Sequence, residues 1–82
     1  MEIRDSARKH DHSDVDILHA ARHVIAEFPG TDQVLILIGC YTSSGTLLEI
    51  GLADPYSEDP YIVHCMDLRP KFRRLLPEGD AR

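Results

Sequence analysis

Residues 13–30 read SDVDILHAARHVIAEFPG, and how far a helix runs through them decides the architecture. Ser13 offers a hydroxyl for an N-cap, with Asp16 three residues on, a capping-box arrangement with aspartate in the place of glutamate. Asp14 and Asp16 also suit the positive end of a helix dipole. Ile17, Leu18, Ala21, Val24, Ile25 and Phe28 recur at three- and four-residue spacing, which makes one apolar stripe. Pro29-Gly30 stops the pattern. The spacing predicts a single long helix that starts at the Ser13 cap and runs to the Pro29-Gly30 stop.

Working outward, residues 33–41 (QVLILIGCY) read as a strand that is apolar on both faces. Such a strand is central or covered on both sides, and it leaves room for a partner or a homodimer. TSSG at 42–45 is a tight turn. In residues 46–53 (TLLEIGLA), Leu48, Ile50 and Leu52 share one face, and Leu47, Glu49, Gly51 and Ala53 share the other. An acidic loop, DPYSEDP, precedes a third strand at 61–66 (YIVHCM). The loops are too short for parallel crossovers, so these strands form an antiparallel meander. Residues 2–4 fit a short edge strand. Pro70 and Pro77 bound a helix of about two turns with Phe72, Leu75 and Leu76 facing in. The expectation is one α+β domain over residues 1–82. In it a long N-terminal helix packs on a three- to four-stranded antiparallel meander sheet, followed by a short C-terminal helix.

The composition, 43% apolar and 28% charged over 82 residues, excludes wholesale disorder. No apolar run approaches the roughly 20 residues of a membrane span. The N-terminus lacks the apolar core of a signal peptide, so a cytoplasmic protein is expected. Cys40 and Cys65 show no metal-like spacing and read as buried thiols. A net charge of −5 argues against attraction of nucleic acid to the whole surface, so any anion site must be local. Residues 69–76, RPKFRRLL, supply it: they hold four of the nine Lys and Arg residues and no acid.

With Phe72, Leu75 and Leu76 inward, Lys71, Arg73 and Arg74 fall on the exposed arc, and Arg69 stands just before the proline. Cations there complement the helix dipole, and guanidinium groups fork onto phosphate oxygens. ARKHDH at 7–12 places Lys9 and His10 in a loop, as candidates for phosphate contact or proton transfer. Glu49 projects opposite to Leu48 and Ile50. Whether His64 joins it depends on a strand register that the sequence leaves open. His19 and His23 have the spacing of two ligands on one helix face. However, Ala20 stands where the metalloprotease pattern needs a glutamate, and no third ligand accompanies them. No metal and no cofactor are therefore expected. Tyr41, Tyr56, Tyr61 and Phe72 could stack on unpaired bases or serve packing.

The succession RKH, SDVDILHA, LILIG, SGTLLEI and HCMDLRPKFRRLL resembles the BrnT-type toxins, and more closely their small actinobacterial members. The resemblance covers nearly the whole chain. It implies a RelE-like ribonuclease fold and a type II toxin–antitoxin pair, with RNA (mRNA included) as substrate and a cognate antitoxin as partner. It implies attack of the ribose 2′-hydroxyl on the adjacent phosphate, without a metal. Lys9 and His10 match the KHG motif; Gly39, Gly45, Leu47 and Leu48 match strand positions. Where the family strand resembles ISAR, this chain has VHCM, so His64 stands at the serine position and Met66 at the arginine. The glutamate of the family's last helix is missing, and Asp11-His12 replaces its GV. On this resemblance the catalytic set is His64, His10, Arg69, Arg73 and Glu49. His64 or His10 would move the proton, Arg69 and Arg73 would bind phosphate, and Glu49 would orient a histidine. Lys9, Lys71 and Arg74 would hold RNA. The competing class is a catalytically silent protein–protein interaction module of the same fold, whose basic helix docks an acidic segment of its partner.

Overall fold

The computed structural model describes residues 1–31, 33–40 and 46–76. The expected turn at 42–45, Tyr41 and the Pro77 boundary lie outside the described residues.

Helix α1 is Asp14–Arg22. It begins as its sequence dictates: the Ser13 Oγ accepts from the Asp16 backbone N–H at 3.2 Å, which satisfies one of the first-turn donors. It ends after nine residues. His23 leaves the helical region at φ −123° and ψ 56°, and its Nδ1 lies 2.7 Å from the His19 carbonyl oxygen. Val24–Pro29 then forms strand β2. The long helix expected across this stretch is therefore corrected to a short helix followed by a strand. The physical reason is that Val24 and Ile25 are β-branched and stiff. Over so short a segment, Ala26 and Phe28 fit a period of two as well as Val24 and Phe28 fit a helical stripe.

Strand β2 pairs antiparallel with β3 (Val34–Cys40), β3 with β4 (Leu47–Ala53), and β4 with β5 (Tyr61–Asp67). Strand β1, Glu2–Ile3, adds to β5 in parallel. The result is a five-stranded mixed sheet in the order β1-β5-β4-β3-β2. This corrects the expected antiparallel meander of three to four strands. The addition is a strand taken from the presumed helix; the expected edge strand at the N-terminus is present as Glu2–Ile3 and pairs in parallel.

Each face of the sheet carries its own apolar cluster. On one face, Ile17 and Ala20 of α1 pack on Leu37, Leu48, Ile50, Leu52 and Cys65. The helix backbone comes very close there: a Cβ on Gly39 would sit 2.0 Å from the Ala20 carbonyl oxygen, so only glycine fits. On the other face, Ile38 meets Leu68 and Leu76, with Phe28, Ile36 and Phe72 packed alongside. The two-sided apolarity of β3 is met by these two clusters of the chain itself. Helix α2, Pro70–Arg73, is one turn long, with proline in its first turn. Leu76 turns inward, but Leu75 is exposed, so the expected inward triplet is reduced to Phe72 and Leu76.

One irregularity positions the site. Gly51 pairs with His64 but Leu52 pairs with Ile62, which leaves Val63 as an extra residue in β5. Such a bulge shifts the alternation of side chains by one. Ile62 and Cys65 thus both reach the α1-side cluster, while His64 turns to the Glu49 side. The Val63 carbonyl accepts a 2.6 Å hydrogen bond from Ser6 Oγ. That bond ties the short 3-10 turn Asp5–Arg8 beside the bulge and carries the following loop, His10 included, toward His64.

Candidate active site

Glu49 is fully buried in the middle of β4, which a carboxylate tolerates only when it is paired and hydrogen-bonded. Its partners are His64 in the middle of β5 and Arg69 just beyond the strand's end. Arg69 Nη2 donates to Oε2 at 2.6 Å, and Arg69 Nε lies 3.0 Å from Oε1. The Arg69 backbone N–H donates to Oε1 at 3.0 Å. His64 Nε2 lies 3.0 Å from Oε2. Burial alone would push the Glu49 carboxyl up; the hydrogen bonds from the Arg69 side chain, the Arg69 backbone and His64, with the guanidinium charge, outweigh it and hold the group below its ordinary value. The same carboxylate holds the Arg69 guanidinium above its ordinary value. Arg69 also lies over the Phe72 ring, 5.5 Å from its centroid.

An ionised carboxylate only accepts, so the hydrogen between Glu49 and His64 belongs to Nε2. The neutral His64 ring then carries its lone pair on Nδ1. The His64 side chain is 27% exposed and that of Arg69 is 40% exposed, so both remain reachable from solvent while Glu49 does not. Room for His64 comes from Gly51, where a Cβ would stand 2.9 Å from the His64 Cβ. The His10 ring meets the His64 ring edge-on, with centroids 6.1 Å apart and an 82° angle between planes. Chemically the cluster offers two imidazoles, one oriented by a buried carboxylate, and a guanidinium fixed on the same carboxylate. Its Nη1 is not engaged with Glu49.

Of the residues singled out from the sequence, the fold brings together Glu49, His64, Arg69 and His10. Lys9, Arg73 and Arg74 are exposed and make no ion pair among the described residues. Lys71 lies with its Nζ 5.0 Å from the Phe72 ring centroid. His19 and His23 stack at 4.0 Å, and the described residues contain no group of three side chains able to hold a metal. Cys65 is a buried free thiol, pushed up to about 12 by burial first and by the Asp67, Glu49 and Asp16 charges next.

Sequence reasoning missed His12 and Asp67. His12 Nε2 lies 3.0 Å from Asp67 Oδ1, and a groove beside the cluster is lined by His10, His12, Met66 and Asp67. Asp11, between the two histidines, adopts φ 66°, the left-handed conformation that aspartate tolerates better than most residues. An aspartate flanked by histidines just before a helix cap was the available signal.

No protein-family model, curated protein or solved structure matches the chain. Among the described residues, no helix is long and apolar enough to cross a membrane.

Proposed function

We propose that this protein is a ribonuclease of the BrnT-like kind, acting in the cytoplasm as the toxin of a type II toxin–antitoxin pair. The observation that carries the reading is the convergence of His64, Arg69 and the buried Glu49, with His10 against His64. His64 Nδ1 takes the proton of a ribose 2′-hydroxyl, and the freed oxygen bonds to the neighbouring phosphorus. Arg69, with Arg73 from the exposed side of α2, stabilises the negative charge that develops on the phosphoryl oxygens. The bond to the 5′ oxygen breaks, and His10 delivers a proton to that leaving oxygen. The products are a 2′,3′-cyclic phosphate and a 5′-hydroxyl. Glu49 touches neither the nucleophile nor the phosphate. It fixes the tautomer of His64 and steadies the imidazolium once the proton is taken. Lys9, Lys71 and Arg74 hold the flanking RNA by charge, and an antitoxin with an acidic segment would silence the enzyme by covering the same cations.

A second reading is favoured by one observation: Glu49 already neutralises Arg69, leaving the exposed Lys71, Arg73 and Arg74 as a purely electrostatic patch. That is the surface a silent docking module would present to an acidic partner. Incubation of purified protein with single-stranded RNA in the presence of a chelator separates the two. The enzyme reading expects fragments with cyclic phosphate ends and a loss of at least about 100-fold in His64→Ala, the scale of a proton-transfer residue. Equal background cleavage by wild type and His64→Ala would leave the docking module as the description.

A further inference from the structure

We infer that the groove beside the catalytic cluster is a nucleobase subsite selective for guanine, with Asp67 as the residue that reads the base; the inference rests on the ribonuclease reading. The groove is lined by His10, His12, Met66 and Asp67. It is continuous with the reaction centre, because His10 lines it and also touches the His64 ring, and because Met66 is the register partner of Glu49. A nucleotide whose phosphate lies at Arg69 and His64 therefore has its base at this groove.

The chemistry of the walls points to one base. A carboxylate is a poor lining for a phosphate cleft, since it repels the substrate backbone. As an acceptor-only group it is suited to a base edge that donates. The Asp67 side chain is 76% exposed, while that of His12, whose Nε2 lies 3.0 Å from Oδ1, is only 14% exposed. The carboxylate thus has one oxygen beside a largely covered ring and is still open to a ligand. Its Oδ2, and the second lone pair of Oδ1, are left to accept. Guanine alone presents two adjacent N–H donors, N1–H and N2–H, on its Watson–Crick edge. Adenine and cytosine each set a ring-nitrogen acceptor beside their amino group, and uracil sets a carbonyl on each side of its single N–H. Imidazole faces and a thioether are apt surfaces for the flat base. This pairing differs from the phosphate contacts of Arg69, because it carries sequence information.

The test uses dinucleotides that bind but cannot be cut: 2′-O-methyl dinucleoside phosphates with uridine on one side and each of the four bases on the other, in both orders. Binding is followed by titration calorimetry. The expected result is at least about tenfold tighter binding of the guanine compounds, the lower part of the range for a bidentate base contact. In Asp67→Asn, an isosteric change at an exposed position, that preference falls below threefold while binding of the all-uridine compound is kept. An unchanged melting temperature of Asp67→Asn separates loss of recognition from loss of fold. Equal affinity of the wild type for all four bases overturns the subsite and leaves the ribonuclease reading intact. A guanine preference that survives in Asp67→Asn overturns the assignment to Asp67. Binding to none of the compounds overturns both the subsite and the reading beneath it.

Discussion

Replacing Glu49 by glutamine removes one negative charge and almost no volume, so what it changes is the central cluster. In the wild type the buried carboxylate accepts from Arg69 Nη2, Nε and backbone N–H and from His64 Nε2. A carboxamide keeps one acceptor oxygen and points two N–H donors at groups that are themselves donors. Removing one partner of a buried pair costs about 3–5 kcal/mol. Arg69 is partly exposed and can regain water, so the lower end applies, about 3 kcal/mol. For a domain of this size each kcal/mol shifts the melting temperature by about 4–8 °C, which places Glu49→Gln about 12–24 °C below the wild type. The loss depends on pH with a definite sign. The folded carboxyl lies below its ordinary value, so on acidification the unfolded chain takes up the proton first. The stabilisation is fully present above the ordinary glutamate value of about 4.3 and is lost as pH falls through the lower folded value. Thermal melts of wild type and Glu49→Gln should therefore converge below about pH 4. The apolar double replacement Glu49→Leu with Arg69→Met should recover much of the stability, because no unpaired charge remains. A Glu49→Gln protein within about 1 kcal/mol of wild type at neutral pH would refute the account of a buried ionised carboxylate.

Two further predictions rest on other parts of the fold. Gly39→Ala drives a Cβ into the Ala20 carbonyl, so α1 must lift from β3. Urea unfolding should show a loss of at least about 2 kcal/mol, and wild-type stability would mean that helix and strand are not in contact there. The Cys65 thiol is buried and pushed up to about 12. In a Cys40→Ser background it should stay unreactive toward a disulfide reagent at pH 8 until the protein unfolds. Rapid labelling of the native protein would contradict its burial.

The parts legible in the sequence are those written in local chemistry. The Ser13 cap, the strand-sized runs around Leu37, Ile50 and Ile62, and the proline in the first turn of α2 each follow from a few adjacent residues. What the sequence hid is set by tertiary pairing. At 24–28 the helical and strand periods coincide, and β2 is chosen because the β3 edge offers Ala26 and Phe28 a place in the second cluster. Glu49 and His64 were each visible as candidates, but their shared face depends on the Val63 bulge, which one extra residue creates and no periodicity records. Gly51 was its only sequence trace, since glycine inside a strand often marks a bulge or a close approach. Arg69 was expected just before the α2 proline, as a phosphate ligand alongside Arg73. Its recruitment by a buried glutamate from a neighbouring strand distinguishes it from Arg73 and Arg74, and no local pattern foretells that pairing.

The central claim is that one buried carboxylate holds an imidazole and a guanidinium together at a surface that receives a phosphodiester. Nitrogen-15 NMR of the labelled protein, titrated with an uncleavable 2′-O-methyl RNA, measures this at the atoms concerned. The account predicts that His64 carries its proton on Nε2 before titration. It further predicts that the His64, His10 and Arg69 side-chain resonances shift together and that all three shifts disappear in Glu49→Gln. A proton on Nδ1, or RNA-induced shifts confined to α2 with His64 and Arg69 unmoved, would contradict it.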